Sequence, residues 1–513
     1  MQNTAVMIRL SIMMFLQFFI WGAWYVTAPN FLSTIGFGGP EFGWTYSVGP
    51  IAGMISPFFV GFIADRYFAT EKVLGVMHLL GAAFMYYATV LMQSGDPSPA
   101  AINWAIFGHM LCFYPTLSLT NSLSMSNLSD TEKQFPLVRV FGTIGWIAAG
   151  VVVAFAYKFG LSSWDKDINM FYAAIGSAII LGVFSFTLPN TPPPAKGKKA
   201  SFAELAGLDA LALFKKPSFL IFMLCSFAIC IPLAFYYQLA ARSVESAGLA
   251  DPAFKMTFGQ MSEILFMVVM PYFFVRLGVK WMLAVGMLAW VIRYTLFSIG
   301  GPVSGDPAMG IGWMMLTGII LHGICYDFFF VTGQIYTDKI APKEMRGQAQ
   351  GLLIFFTLGL GMFIGAQIAG QLEARYTPPE SGQFAAASQL SGDLAEGFKA
   401  APGDQSETVT EAIAKFKNEQ FELESKSDDE SKDRLAEIAQ ILDAYATAPD
   451  AAGIADRITE LEADKAAKSL LSLQAMNWRM IWQIPAIAAG CVLLFFVVTF
   501  RYNENEKDDK PKS

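Results

Sequence analysis

Near its start the chain reads VMIRLSIMMFLQFFIWGAWYVTA at residues 6–28, with Arg9 as the one charged residue in the run. An apolar run of about 20 residues is long enough to cross the hydrocarbon layer of a membrane as a helix. The run is too long for the apolar part of a signal peptide and has no small-residue cleavage site. We therefore interpret it as an uncleaved first membrane helix.

Similar apolar runs recur along the whole sequence. Hydrophobic residues make up 54% of the 513-residue chain and charged residues only 15%, whereas about 25% of a soluble protein is charged. We predict twelve membrane spans, at approximately 6–28, 41–64, 73–93, 102–126, 136–157, 169–189, 217–241, 257–276, 280–300, 309–333, 349–372 and 479–500. The fold class predicted is therefore an all-α polytopic membrane protein with 12 transmembrane helices.

A polar, proline-rich linker divides these spans six and six, because residues 189–199 read PNTPPPAKGKK. A weak repeat relates the ends of the second and eighth spans, and two related six-helix halves are typical of a major facilitator fold. The predicted domains are an N-terminal half (1–189), a cytoplasmic linker (190–216), a C-terminal half (217–372 and 478–501), an insert (373–477) and a cytoplasmic tail (502–513).

The insert differs in composition from the rest of the chain. Residues 373–477 hold 21 of the 42 acidic residues but only 10 of the 35 basic ones, a net charge of −11. Spaced apolar residues within 435–445 and 454–461 favour a small helical hairpin. A mostly disordered segment is the alternative.

Basic residues in the short loops predict the orientation, since lysine and arginine accumulate on the cytoplasmic side. One side carries Arg9, Arg66, Lys72, Lys133, the cluster from Lys196 to Lys216, Arg276, Lys280, Lys339, Lys343, Arg346 and Arg501. The other side has only Lys158, Lys166, Arg242 and Lys255 in its short loops. The bias places both termini and the central linker in the cytoplasm, and the acidic insert outside.

Polar residues inside the spans are candidates for function, because charges there are costly. Helical spacing places several of them on shared faces. These are Arg139, Thr143 and Trp146 in the fifth span, Gln260 and Glu263 in the eighth, and His322 and Tyr326 in the tenth. Aromatic rings with amide, carboxylate and guanidinium groups suit a pocket for a planar, hydroxylated solute. The alternative is polar pairing between helices that only stabilises the fold.

Two carboxylates and one charge pair suggest how transport through such a pocket is coupled to protons and gated. Glu263 or Asp327 would take up a proton outside and release it inside, which couples solute uptake to the proton gradient. Asp65 and Arg66, at a cytoplasmic helix end, form a candidate gate latch that holds the two halves together in one state. The alternative for this pair is a simple loop anchor.

Eight short stretches, taken in order, resemble the nucleoside–proton symporter family of the major facilitator superfamily. They are FLQFFIWGAW (15–24), YPTLSLTN (114–121), RVFGTIG (139–145), GLDALALFK (207–215), QMSE (260–263), AWVIR (289–293), DFF (327–329) and AQG (349–351). The likeness covers about 400 residues and omits the insert.

This resemblance implies proton-coupled nucleoside uptake by alternating access. It implies that Arg139, Thr143, Gln260 and Glu263 contact the nucleoside, that Trp146 is an aromatic stacking residue, and that Asp327 is important for proton coupling. We expect neither a cofactor nor a metal, no nucleic-acid partner, and a monomer in the lipid bilayer.

The chain also departs from this family. His322 stands where a tyrosine is expected and Tyr326 where a phenylalanine is expected. In the seventh span, Pro232 and Phe235 do not match the family's polar ligands, and Gln238 is a candidate to replace them.

Other functions stay open from these residues. The departures in the seventh span support a major facilitator carrier for another small polar solute, such as a sugar or a drug. An intramembrane enzyme is disfavoured, because the spans show no nucleophile with its base and no metal cluster. A receptor is disfavoured because a large cytoplasmic output domain is lacking.

Overall fold

The computed structural model describes residues 2–95, 97–156, 164, 166–193, 208–300, 312–342, 345–399, 417, 439 and 451–502. Almost all of these residues are helical, as predicted. The helices are α1 (Gln2–Gly22), α2 (Ala28–Leu32), α3 (Gly39–Arg66), α4 (Thr70–Met92), α5 (Pro99–Asn127), α6 (Thr131–Phe155), α7 (Asn169–Ser185), α8 (Pro217–Ser246), α9 (Pro252–Gly300), α10 (Gly312–Ile340), α11 (346–375), α12 (Pro379–Lys399), α13 (Ala451–Ala475) and α14 (Trp478–Thr499). A 3₁₀ turn, Leu208–Lys215, precedes α8.

Within the described residues, nine helices are long and apolar enough to cross a membrane. One of the nine, α9, contains both the eighth and the ninth predicted spans. The two spans are separated by a bend at Gly278. The fourth and sixth predicted spans coincide with α5 and α7, which lie outside those nine. The polytopic helical class is confirmed, and the total of twelve stays a prediction.

The bend in α9 depends on Gly278, whose backbone angles are φ 63° and ψ 178°. This region of conformational space is accessible almost only to glycine, because a Cβ atom would clash with the backbone. We expect Gly278→Ala to lower the free energy of unfolding by about 1–3 kcal/mol. Denaturant titration in detergent micelles would measure the loss.

The matched control for this substitution is Gly176→Ala in α7. Among the described residues, a methyl group at Gly176 would meet no atom within 4 Å outside its own helix backbone, and alanine is the better helix former. An equal loss of stability in both variants would contradict the role assigned to Gly278.

Small residues bring α3 close against α11. Gly39 and Gly43 of α3 lie against Gly370 of α11, so closely that a methyl group on Gly39 would lie 2.3 Å from the Gly370 carbonyl oxygen. Nearby, Gln367 donates a hydrogen bond to the Ser47 hydroxyl at 2.8 Å. These contacts lie at the ends of α3 and α11 that are predicted to face outside.

A contact between two aromatic rings joins α6 to α9. The rings of Phe155 and Phe254 are 4.9 Å apart, again at the ends predicted to face outside. Toward the opposite ends, large apolar side chains such as Phe59 of α3 and Val275 of α9 are 67% and 86% exposed. The described contacts therefore close the predicted outer end of this region.

Two predicted boundaries are wrong. Helix α8 continues to Ser246, so Arg242 lies within the helix and is buried, although the sequence placed it in a loop. Helix α11 continues to Arg375, so Glu373 is a buried residue of that helix and not the first residue of the insert. Both charged residues can lie in buried parts of their helices because Arg242 and Glu373 form an ion pair with each other.

The described residues form two compact units, Met1–Tyr376 with Trp478–Ser513, and Thr377–Asn477. The second unit contains α12 and α13, which pack against each other. Helix α13 includes the predicted apolar face at 454–461, but its partner α12 was not predicted from the sequence. Ser391 donates to the Asp464 carboxylate at 2.6 Å, and a hydrogen bond from Lys468 holds the pKa of Asp464 below its ordinary value. Of the predicted apolar face at 435–445, only residue 439 is described.

Candidate functional site

Helix α6 presents Arg139, Thr143 and Trp146 toward α1 and the start of α9. The Arg139 guanidinium lies over the ring of Phe18, 4.2 Å from its centre, and Trp146 packs edge-on against Trp21 at 5.4 Å. Thr143 is buried between them. The helical spacing that predicted a shared face thus gives a row of cationic, hydroxyl and indole groups.

Helix α9 contributes Gln260 and Glu263, one turn apart. Gln260 is buried, and within the part of the chain that the structure describes its amide oxygen has no hydrogen-bond partner. Glu263 is half-buried, and its carboxylate interacts electrostatically with the Arg139 guanidinium of α6. The structure therefore brings the predicted polar faces of α6 and α9 close enough to interact electrostatically. Arg139 and Glu263, which belong to these two faces, are 124 residues apart in the sequence.

Helix α10 supplies the third part of this cluster through a π-helical segment, Tyr326–Val331. Such widened turns inside α-helices are frequent at functional sites. Glu263 interacts electrostatically with Tyr326 and with Asp327. Asp327 is 0% exposed, and neither of its carboxylate oxygens has a hydrogen-bond partner among the described residues.

His322 lies one turn before Tyr326 and is also buried. Its Nδ1 atom is 3.1 Å from Nη1 of Arg293 in the second half of α9. Its ring stacks on Tyr236 of α8 at 5.3 Å and is 5.7 Å from the ring of Tyr326.

Close packing holds α10 against the first half of α9. The Gly323 amide donates to the Ser262 hydroxyl at 2.9 Å, and a methyl group at Gly323 would lie 2.6 Å from the Ser262 backbone. This contact fixes the separation of the helices that carry His322 and Glu263. The site is thus positioned by backbone contact as well as by side chains.

The predicted gate latch is described only in part. Arg66 ends α3, and its guanidinium lies 4.9 Å from the centre of the Phe62 ring. The side chain of Asp65 lies outside the described residues, so the Asp65–Arg66 latch stays a prediction.

The two departures in α8 have structural contacts of their own. The Pro232 carbonyl accepts a hydrogen bond from the Tyr294 hydroxyl at 2.8 Å, and Phe235 is buried. Gln238, suggested as a replacement ligand, donates instead to the Glu373 carboxylate at 3.1 Å. Its amide nitrogen is therefore engaged in a second polar cluster.

No sequence pattern considered above predicted this second cluster. Arg242 and Glu373 form an ion pair with an N–O distance of 2.8 Å, and each side chain is only 4% exposed. The Arg242 guanidinium also lies 4.4 Å from the ring centre of Phe42 in α3. One sequence feature could have indicated this cluster: Gln238 and Arg242 are four residues apart. If the helix continues past residue 241, this spacing places both side chains on one face.

These helices, with buried polar groups from α6, α9 and α10 clustered between two halves of one bundle, define a membrane transporter of the major facilitator class. The family model for nucleoside H⁺ symporters matches residues 4–391. The chain belongs to this family, which confirms the predicted resemblance and favours it over a carrier for another kind of solute.

Individual relatives agree with this assignment. YegT of Escherichia coli K12, named as a nucleoside transporter, is 40% identical over 386 residues, which cover 74% of this chain and 88% of YegT. The xanthosine permease of the same organism is 32% identical over 381 residues, covering 71% of this chain and 87% of the permease. A crystal structure of the nucleoside transporter NupG shares the fold, with a TM-score of 0.68 at 22% identity, covering 97% of this chain and all of NupG.

Proposed function

We propose that this protein imports nucleosides together with protons across the bacterial cytoplasmic membrane, as a monomer with both termini in the cytoplasm. The observation that carries the proposal is the electrostatic coupling of Glu263 in α9 to Arg139 in α6 and to Asp327 in α10. A carboxylate that interacts electrostatically with both a guanidinium and a second acid can link solute binding to proton binding in one site.

The proposed contacts follow from the chemistry of each side chain. Arg139, Thr143, Gln260 and Glu263 supply donors and acceptors for the ribose hydroxyls and the base. The rings of Trp146 and Tyr326 provide flat apolar surfaces for the base. The unsatisfied amide oxygen of Gln260 supports this reading, since a buried acceptor without a partner is costly unless a ligand binds it.

Transport requires the site to open alternately to each side of the membrane. The close contact of Gly39 with Gly370 and the α6–α9 contact at Phe155 and Phe254 would separate when the site opens outward. The proposed Asp65–Arg66 latch would close the cytoplasmic end in that state. Alternating access of this kind is a rocking of one half against the other around a fixed site.

Uptake of radiolabelled uridine, adenosine and xanthosine tests this proposal in cells that lack their own nucleoside transporters. We expect at least one nucleoside to accumulate, and a protonophore to abolish the accumulation. A Glu263→Gln variant should lose uptake while it still reaches the membrane, because the carboxylate that faces Arg139 is gone. Failure of every nucleoside to enter, or accumulation unaffected by the protonophore, would contradict the proposal.

A further inference from the structure

The buried pair of Arg293 and His322 links the second half of α9 to α10. Arg293 is 0% exposed, and its Nη1 atom lies 3.1 Å from Nδ1 of the histidine. The guanidinium also lies over the ring of Tyr236, 3.5 Å from its centre. The imidazole therefore meets a fixed, permanently charged group on one side.

This contact determines which nitrogen of His322 carries the proton. A guanidinium has donors and no acceptor, and it keeps its charge in proteins. The hydrogen bond at Nδ1 therefore needs the imidazole lone pair on that atom. The ring is then neutral with its proton on Nε2, so that its remaining polar atom is a hydrogen-bond donor.

The ring is also held in one orientation by its neighbours. It stacks on Tyr236 with an angle of 21° between the planes, and it lies 5.7 Å from the half-buried ring of Tyr326. On the side of α9, a methyl group at Gly259 would lie 3.2 Å from the His322 Cβ. Gly259 directly precedes Gln260, so the imidazole lies beside the turn that carries the proposed nucleoside ligands.

We propose that Arg293 is a positioning residue that locks His322 as a donor-only contact for the nucleobase, an inference that rests on the proposed function. The aromatic rings around the imidazole suit the flat base and not the ribose. In a purine nucleoside such as adenosine, the acceptor is a ring nitrogen of the base. A tyrosine hydroxyl, expected here from the family resemblance, can both donate and accept a hydrogen bond. A histidine that can only donate at this position binds only bases that present an acceptor to it.

The tautomer is tested directly by long-range ¹H–¹⁵N NMR spectra of the purified transporter without nucleoside. The chain has only three histidines. His109 is an internal reference of the opposite kind, because its Nδ1 lies 2.9 Å from the Gly81 carbonyl oxygen and must carry a proton there. We expect His322, assigned from the spectrum of His322→Gln, to show an unprotonated Nδ1 and a protonated Nε2.

Substitution of the arginine should change that signature. Arg293→Met removes the donor, and we expect the His322 signals to shift toward a mixture of tautomers. Arg293→Lys keeps a cationic donor and should retain the wild-type pattern. A protonated Nδ1 in the wild-type protein, or an unchanged pattern in Arg293→Met, would overturn the positioning role.

The base contact is tested by KM values for adenosine and for its 1-deaza, 3-deaza and 7-deaza analogues, each of which lacks one ring acceptor. Loss of one hydrogen bond should raise KM by roughly three- to tenfold with little change in kcat. We expect His322→Phe to raise KM for adenosine but not for the one analogue that lacks the contacted nitrogen. Arg293→Met should give the same pattern of KM changes, whereas Arg293→Lys should have KM values close to those of the wild type. The double variant Arg293→Met with His322→Phe should have the same KM for adenosine as His322→Phe alone.

The two possible failures are distinguishable. Equal KM changes for adenosine and all three analogues, or additive effects of the two substitutions, would overturn the base contact while leaving nucleoside uptake intact. If no nucleoside is transported at all, the proposed function fails and the base contact with it. The NMR spectra still decide in that case whether Arg293 sets the tautomer of His322.

Discussion

Replacement of Asp327 by asparagine is expected to abolish proton-driven accumulation of nucleoside while downhill exchange of nucleoside persists. The side chain is 0% exposed in the π-helical segment of α10, and no described residue forms a hydrogen bond with either carboxylate oxygen. An ionised carboxylate in such a place is compensated poorly, so this position suits a group that binds and releases a proton during the cycle. Asparagine has nearly the same shape but cannot do so.

The expected size of this effect follows from the driving force. One charge that moves through a membrane potential of 100 mV supplies about 2.3 kcal/mol. Since about 1.36 kcal/mol corresponds to a tenfold ratio, one coupled proton supports roughly 50-fold accumulation. Asp327→Asn should reduce this ratio to about one in proteoliposomes with an imposed potential.

The matched control for this experiment is Asp338→Asn, which lies near the end of the same helix. Asp338 is half-exposed and pairs with Arg346 at 3.1 Å. This variant should accumulate nucleoside as the wild type does. Full proton-driven accumulation by Asp327→Asn would show that the proton is carried elsewhere in the site.

Glu373→Gln is expected to cause the largest loss of stability. The substitution leaves the Arg242 guanidinium buried without its counter-ion, at a place where both partners are almost completely shielded from water. Removal of one partner from a buried ion pair costs about 3–5 kcal/mol. Denaturant titration of the purified protein in mixed micelles would measure this loss.

Two further variants identify the cause of that loss. Replacement of both Arg242 and Glu373 by methionine should recover most of the stability, because a well-packed apolar pair avoids the cost of burying charges. Asp338→Asn, which breaks a solvent-exposed pair, should cost no more than about 1 kcal/mol. A Glu373→Gln variant as stable as Asp338→Asn would show that the ion pair contributes nothing.

Helical periodicity predicted that the proposed nucleoside ligands lie in separate rows, each on one helix face. Arg139, Thr143 and Trp146 lie on one face of α6, and Gln260 lies one turn from Glu263 in α9. Spacing within a helix is a local property, so a sequence carries it directly. How the rows face one another depends on helix packing, which no local pattern records.

The membrane class, the apolar spans and the family resemblance could all be read from the amino-acid order. They depend on composition, run length and short motifs, which act over one helix or less. Three features depended on the tertiary structure: the Arg242–Glu373 pair, the donor-only state imposed on His322 by Arg293, and the unpartnered burial of Asp327. Each of these joins or isolates groups on different helices. In a lipid-facing bundle, the partner of a buried charge is set by which helices touch and at what depth.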